Sequence, residues 1–255
     1  MNSEIFGAYN EFLSGKRLEA SRRFRNLTPN SVVDRIKYLR DRCAGQKVLH
    51  IGCLDHPEII LRKNQNETWL HSIVSEISEV CIGVDNNVTA YDIARTQLGV
   101  TNIRLVDLSK PLINKDIRSL REIQWDLILC AEVLEHVTNH HLFLQNLRSL
   151  SNRHTSLVIT GPNAFRFQNF VNTLRGFESV NSDHKYWFTF YTLSRLLAAH
   201  GWEPHRILYY MGSNKQRVWV RTLRNLATRM SPAFGDGLII EARCSDEPIA
   251  EEEYQ

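Results

Sequence analysis

Short apolar runs alternate along this chain with longer segments of helical period. The runs are Lys47–Ile51, Val80–Val84, Ile103–Val106, Trp125–Cys130, Ser156–Thr160, Arg206–Tyr210 and Leu238–Ala242. Between them, apolar residues recur at three- and four-residue spacing near 67–78, 88–98, 138–150 and 192–200. Such alternation predicts βαβ units and a parallel sheet covered on both faces, because runs apolar at successive positions suit strands buried on both sides. Seven strands, the last two close to the C-terminus, predict a doubly wound, seven-stranded, mostly parallel α/β sheet ending in an antiparallel hairpin.

Residues 1–45 read as an N-terminal helical arm or lid, with Phe6, Tyr9, Phe12 and Phe24 set among charges. Within it, Thr28-Pro29-Asn30-Ser31 looks like a helix start. Val32, Ile36 and Leu39 then recur at helical spacing up to Cys43, and Ala44-Gly45 ends the run. An elongated loop is expected near 53–66, before a helix at Thr68–Ile77. The main domain spans 46–245, and 246–255 is an acidic tail. From 213 to 231 the chain reads S-N-K-Q-R-V-W-V-R-T-L-R-N-L-A-T-R-M-S, with Trp219, Leu223, Leu226 and Met230 on one helical stripe. Lys215, Arg217, Arg221, Arg224 and Arg229 fall largely off that stripe, which predicts an inserted basic amphipathic helix. Three readings stay open for it: an apolar stripe packed on the domain with a solvated basic face, a peripheral contact with anionic membrane or a phosphorylated lipid-linked acceptor, or contact with an RNA backbone.

At 43% hydrophobic and 23% charged residues, the 255-residue chain has an ordinary globular balance, which excludes wholesale disorder. The formal charge of +3 is too small to indicate a polyanion partner. Five cysteines are scattered and never spaced C-x-x-C, so buried free thiols in a reducing compartment are expected rather than a zinc knuckle or a disulfide framework. The N-terminus lacks the basic start and apolar stretch of a signal peptide, and no apolar run approaches the ~18 residues of a spanning helix. A cytoplasmic location is the expectation.

In open α/β sheets ligands bind beyond the carboxyl ends of the strands. The first strand runs into V-L-H-I-G-C-L-D-H, where Gly52 permits a tight turn and close backbone approach to a ligand. The second ends in Asp85-Asn86-Asn87. A carboxylate at that tip either takes both hydroxyls of a ribose or caps the next helix. The third is followed by Val106-Asp107-Leu108, an acid and an apolar side chain able to bracket an adenine ring. The fourth gives W-D-L-I-L-C-A-E-V-L-E-H.

Taken in order from about Lys47 to Ala242, these residues resemble the class I S-adenosylmethionine-dependent methyltransferases. The resemblance implies a Rossmann-like fold with Gly52 and its neighbours, Cys53 among them, facing the methionine part of the donor. It implies Asp85, grouped with Asn86, on the ribose and Asp107 near the adenine amine beside Leu108. It also implies that Cys130–Glu132 flanks the sulfonium. Thr160-Gly161-Pro162-Asn163 and His184-Lys185-Tyr186-Trp187-Phe188-Thr189 fit a branch of the family in which such elements accompany E-V-L-E-H. D-H-K-Y-W-F-T-F-Y-T-L and N-F-V-N-T-L-R-G-F-E look like methyltransferases of bacterial polysaccharide biosynthesis.

The first loop departs from the family's D-x-G-x-G-x-G. His50 replaces the acid, and Leu54 and His56 take the later glycine positions. Asp85 lies 33 residues beyond Gly52, against roughly 20 in the dinucleotide-binding fingerprint. Either a remodelled loop holds the donor, with Asp55 supplying the lost carboxylate, or the chain is a non-catalytic member of the fold.

Methyl transfer asks the protein to align an acceptor and, for a hydroxyl, to remove its proton. Glu132, Glu135 and His136 follow the fourth strand at i, i+3 and i+4, so they share a face if a helix begins by Glu132. His184 joins them by family topology. Either Glu132, Glu135, His136 and His184 hold a divalent cation such as Mg²⁺ or Mn²⁺, or His136 or His184 acts as a metal-free base oriented by carboxylates, or the segment is simply a helix start. The pattern is similar to that of small-RNA 3′-terminal ribose methyltransferases and quinone-biosynthesis O-methyltransferases. The expected reaction is therefore O-methylation of a small or glycan-like acceptor, with RNA ribose 2′-O-methylation as the alternative. A nucleic-acid partner is disfavoured, since the chain has no recognisable RNA-binding module.

Overall fold

Continuous burial follows from continuous apolarity. Of Lys47–Ile51 only the first residue is not buried, and Leu127–Ala131 is buried throughout. The structure, a computed structural model, describes residues 2–25, 32–112, 114–212 and 218–245. Its strands are β1 (Val32–Val33), β2 (Lys47–Ile51), β3 (Val80–Asp85), β4 (Ile103–Leu105), β5 (Leu127–Ala131), β6 (Ser156–Pro162), β7 (Trp202–Tyr210) and β8 (Gly237–Cys244). They form one mixed sheet in the order β1-β7-β8-β6-β5-β2-β3-β4. The eighth strand is the pair Val32–Val33, which joins β7 in parallel register (Val32 opposite Tyr209) instead of opening the next helix. Two adjacent β-branched residues favour extended backbone. The helix expected there starts later, as α2 (Arg35–Cys43); Thr28–Ser31 lies outside the described residues.

The chain divides into two compact units. One comprises Ile36–Val133 and Val137–Ile159. In it β2 pairs in parallel with β3 (Ile51 opposite Val84) and with β5 (Ile51 opposite Cys130), and β3 pairs with β4 (Asp85 opposite Leu105). That register brings the carboxyl ends of four strands to one edge of the sheet. The segment expected as a loop near 53–66 instead holds α3 (Pro57–Gln65), which Pro57 starts at the first turn, with Glu58 near its N-terminus and Arg62 and Lys63 near its end. Then follow α4 (Leu70–Ile77), α5 (Val88–Thr96), α6 (Asn114–Arg121) and α7 (His140–Ser149). α4 packs on β3 and α5 on β4. Cys53, Ile60, Trp69, Ala94 and Ile103 form a core cluster, and the Trp69 indole donates to the Cys53 carbonyl at 2.9 Å.

The other unit comprises the residues up to Arg35, Leu134–His136 and those from Thr160 onward. β7 and β8 form the expected antiparallel hairpin, with a bulge near Pro204 and Arg206. α9 (Phe190–Ala198) is started by a reciprocal cap between Thr189 and Thr192. The arm helix α1 (Asn2–Leu13) packs on α9 and β7. Its Phe6 meets Phe190 edge-on at 5.5 Å, Phe24 stacks on Tyr191 at 4.1 Å, and Arg195 donates to the Leu13 carbonyl. α8 (Phe167–Leu174) and α10 (Val218–Met230) complete the unit. α10 is the expected basic amphipathic helix, but residues 213–217 lie outside the described residues. Its packing reverses the simplest expectation. Leu223, Leu226 and Met230 are exposed, whereas Arg224, Ala227 and Thr228 are buried. Arg224 turns inward because it pairs with Asp236. All five cysteines are buried and none is in a disulfide, and no described helix is long and apolar enough to cross a membrane.

Candidate active site

Gly52 sits at φ +66, and a Cβ built there would overlap Val133 Cγ2, so only glycine makes this turn without strain. Its N–H donates to the Val84 carbonyl at 2.8 Å, and the Leu54 N–H donates to Asp85 Oδ2 at 2.9 Å. Asp85 Oδ1 accepts from the Asn87 N–H at 3.0 Å. Asp85 therefore ties the first strand turn to the start of α5, whose cap is the Asn87 side chain, accepting from Ala90. Leu54 packs against the core cluster and His56 is exposed at the start of α3. In the place of the missing glycines stands a turn anchored at both ends. Asp55 pairs with Lys63 of α3. His50, at the family's acidic position, is buried beside His71.

The loop after β4 is held by α7: Asn146 Nδ2 donates to the Leu108 and Lys110 carbonyls at 2.8 and 2.9 Å. Asp107 accepts from the Ser109 hydroxyl at 2.6 Å and faces Lys110 Nζ at 3.1 Å. The two carboxyls of this edge are tuned oppositely. Burial pushes Asp85 up, and backbone N–H groups of Asn87, Leu54 and Asn86 only partly counter it. For Asp107 burial is outweighed by Ser109 and Lys110, which leave it below the usual aspartate value. The thiols of Cys53 and Cys130 and the side chain of Leu108 are in the core, so those residues have backbone rather than side chains to offer at the edge. Asn86 is exposed. The donor set fits a nucleoside: a partly exposed acid at each of two neighbouring strand ends, beside a left-handed glycine turn that packs against the Val133 side chain.

Glu132, just past β5, has φ +58, a left-handed conformation that costs a residue with a side chain about 1–3 kcal/mol. That reversal corrects the expected helical face. A 3-10 turn, Leu134–His136, follows instead, and Glu132 is not among the residues that gather next. Glu135, His136 and His184 each offer a ligand atom, and these atoms lie within 4.8 Å of one another. The Glu135 side chain is fully buried beside Gly161 of T-G-P-N. The His136 and His184 rings meet edge-on at 4.7 Å. His136 Nδ1 lies 2.9 Å from Asp183 Oδ2, which leaves Nε2 available. Lys185 donates its N–H to the Glu135 carbonyl at 2.7 Å, fastening the D-H-K segment to the 3-10 turn. Motif spacing alone does not single out Asp183; its adjacency to His184 is the one signal the sequence carries for it. Of the nearby aromatics, Phe188 and Phe190 are buried, and Trp187 lies against the Arg166 guanidinium at 4.7 Å.

The sequence pattern of the family described as "Methyltransferase domain" matches residues 20–207. No curated protein matches the chain. Solved structures share its fold. One is a chain of the complex between the Haloferax volcanii Trm112 methyltransferase activator and a methyltransferase, at 11% identity and TM-score 0.54, covering 97% of this chain and 99% of that one. Another is YcgJ of Bacillus subtilis, at 12% identity and TM-score 0.51, covering 84% and 98%. The small RNA methyltransferase HEN1 aligns at 14% identity and TM-score 0.52, over 91% of this chain and 28% of that one. With the family pattern spanning most of its length, the chain belongs to the methyltransferase-domain family, and its methyl donor is S-adenosylmethionine.

Proposed function

We propose that the protein methylates an oxygen of a small or glycan-like acceptor, with His136 taking the acceptor hydroxyl's proton. The carrying observation is the grouping of His136 with Glu135 and His184 while Asp183 holds its Nδ1. Bound S-adenosylmethionine supplies a methyl group already activated by its sulfonium. Asp85 and Asn86 are assigned to the ribose hydroxyls, Asp107 to the adenine amine, and Gly52 with the Cys53, Asp55 and Cys130–Glu132 backbone region to the methionine end. Glu132 closes the β5 edge, and the chain reaches Glu135 and His136 within four residues. The strain at Glu132 supports a functional turn there. His136 Nε2 accepts the proton as the acceptor oxygen bonds to the methyl carbon and the methyl–sulfur bond breaks, its electron pair returning to the sulfur of the departing S-adenosylhomocysteine. His184 orients the acceptor or serves as the alternate base. A positioned base contributes about 10²–10⁴-fold. Transfer of labelled methyl to a panel of glycan and small phenolic acceptors should therefore fall by that factor in His136→Ala, with donor binding by calorimetry unchanged. Full turnover in the variant overturns the assignment. Labelling of small RNA instead would move the acceptor class to a ribose hydroxyl.

The same cluster favours a second reading. One carboxylate and two imidazoles are a donor set for a divalent cation, which would bind and acidify the acceptor hydroxyl. A chelator abolishes turnover under this reading, with Mg²⁺ or Mn²⁺ restoring it. Undiminished activity without divalent ions leaves the histidine as base.

A further inference from the structure

In the unit that carries α8 and α10, apolar side chains face outward on two neighbouring helices. On α8 and the turn after it, Phe170 is 54% exposed, Leu174 73% and Phe177 65%. On α10, Leu226 is 54% exposed and Met230 77%. Amphipathic helices normally put their apolar side on the core, yet α10 buries Arg224 with Thr228 and presents its leucines outward. A group of this kind on a folded surface marks a contact with something apolar. Beside it opens a pocket of about 500 Å³ lined by Phe24, Phe165, Phe170 and Phe234, with Arg166 and Asn169 as its polar groups. Phe165 and Phe170 belong to both the pocket wall and the exposed surface.

The charge on these segments has one sign. Neither 163–177 nor 204–235 contains an Asp or Glu, while Arg166, Arg175, Arg221 and Arg229 lie on or beside the two helices. We propose that this face docks on an anionic lipid bilayer, α8 and α10 lying in the interface with Phe170, Leu174, Leu226 and Met230 inserted and the arginines at headgroup level. The aromatic pocket then receives an apolar lipid chain, Arg166 standing at the depth of its phosphate. Outward apolar side chains among cations, on helices too short to span, are what interfacial binding requires. A second copy of this chain fits poorly, because it would set arginine against arginine. An RNA backbone would satisfy the arginines but leave the leucines and phenylalanines in water.

Flotation of the full chain with vesicles tests this without donor or acceptor, so its outcome is independent of the reading of the methyl-transfer site. The protein should float with phosphatidylcholine vesicles containing phosphatidylglycerol and stay down with phosphatidylcholine alone. Leu223→Ser/Leu226→Ser and Phe170→Ser, all at exposed positions, should each lower partitioning about tenfold or more through lost methylene burial, while exposed Leu18→Ser serves as a control without effect. Circular dichroism confirms that the variants are folded. Failure of the wild-type chain to float with anionic vesicles overturns the proposal, as does flotation of the variants at wild-type level. Concentration-dependent self-association that the leucine pair abolishes, without flotation, assigns the face to a second copy instead.

Discussion

His50 Nδ1 and His71 Nδ1 stand 3.3 Å apart in a site where both side chains are almost wholly buried. For the two nitrogens to share a hydrogen bond, one must carry the proton and the other must not, so the rings hold opposite tautomers. Burial lowers His71 to about 4, with a hydrogen bond to Asn102 only partly opposing it.

Above the ordinary histidine value of 6.5 both folded and unfolded His71 are neutral, and the group costs nothing. As pH falls from 6.5 toward 4 the unfolded chain takes up a proton that the folded chain refuses, and stability drops by roughly 3 kcal/mol. Urea midpoints measured across that range should fall more steeply for the wild type than for His71→Phe. Parallel curves would show that His71 protonates in the folded state.

Asp85 and Asp107 are expected to respond to acid in different ways. Because Asp85 is pushed up and Asp107 held down, acidification protonates Asp85 first. Donor affinity measured by calorimetry should weaken as pH drops through the range above the usual aspartate value, and Asp85→Asn should be weak at every pH, by about 10–100-fold. Asp107→Asn should retain the pH dependence. The folded chain holds the Asp85 proton more tightly than the unfolded one, so this group adds stability on acidification, and weaker binding at low pH is not explained by its unfolding the protein.

For Asp183, the test lies in turnover. Asp183→Asn keeps the shape but loses the charge facing His136. A fall in kcat of about tenfold or more, with KM for the acceptor little changed, is expected if the acid orients the base. An equal change in donor binding would point to structural damage instead.

Arg224 is tested by stability. Its guanidinium pairs with Asp236, which also accepts from the Gly212 N–H at 2.6 Å. Arg224→Met should cost about 3–5 kcal/mol by leaving a partly buried acid without its cation, and Arg224→Met/Asp236→Asn should recover much of the loss. Thermal melts of the single and double variants decide it.

Much of the sheet could be read in advance because buried parallel strands are apolar at consecutive positions, and the parallel register carries Gly52, Asp85 and Asp107 to one edge with no further information. What escaped the reading was set by tertiary partners. The outward leucines of α10 follow from a single ion pair, Arg224 with Asp236, that no periodicity encodes. The α3 helix is hidden in the sequence because a proline at a helix's first turn, as Pro57 is, looks the same as a proline in a loop. At E-V-L-E-H the residue spacing was right for a helix, but the positive φ of Glu132 belongs to the backbone and leaves no trace in composition.

The substitution of Leu54 for a loop glycine carries a consequence for affinity. A glycine-rich turn is free to wander until a ligand arrives and must surrender that freedom on binding. Here the turn is already tied down, its Leu54 side chain packed against the core cluster and its N–H committed to Asp85. Under the proposed assignment of this turn to the donor, binding on such a ledge would forgo little entropy, and donor affinity is expected not to suffer from the missing glycines.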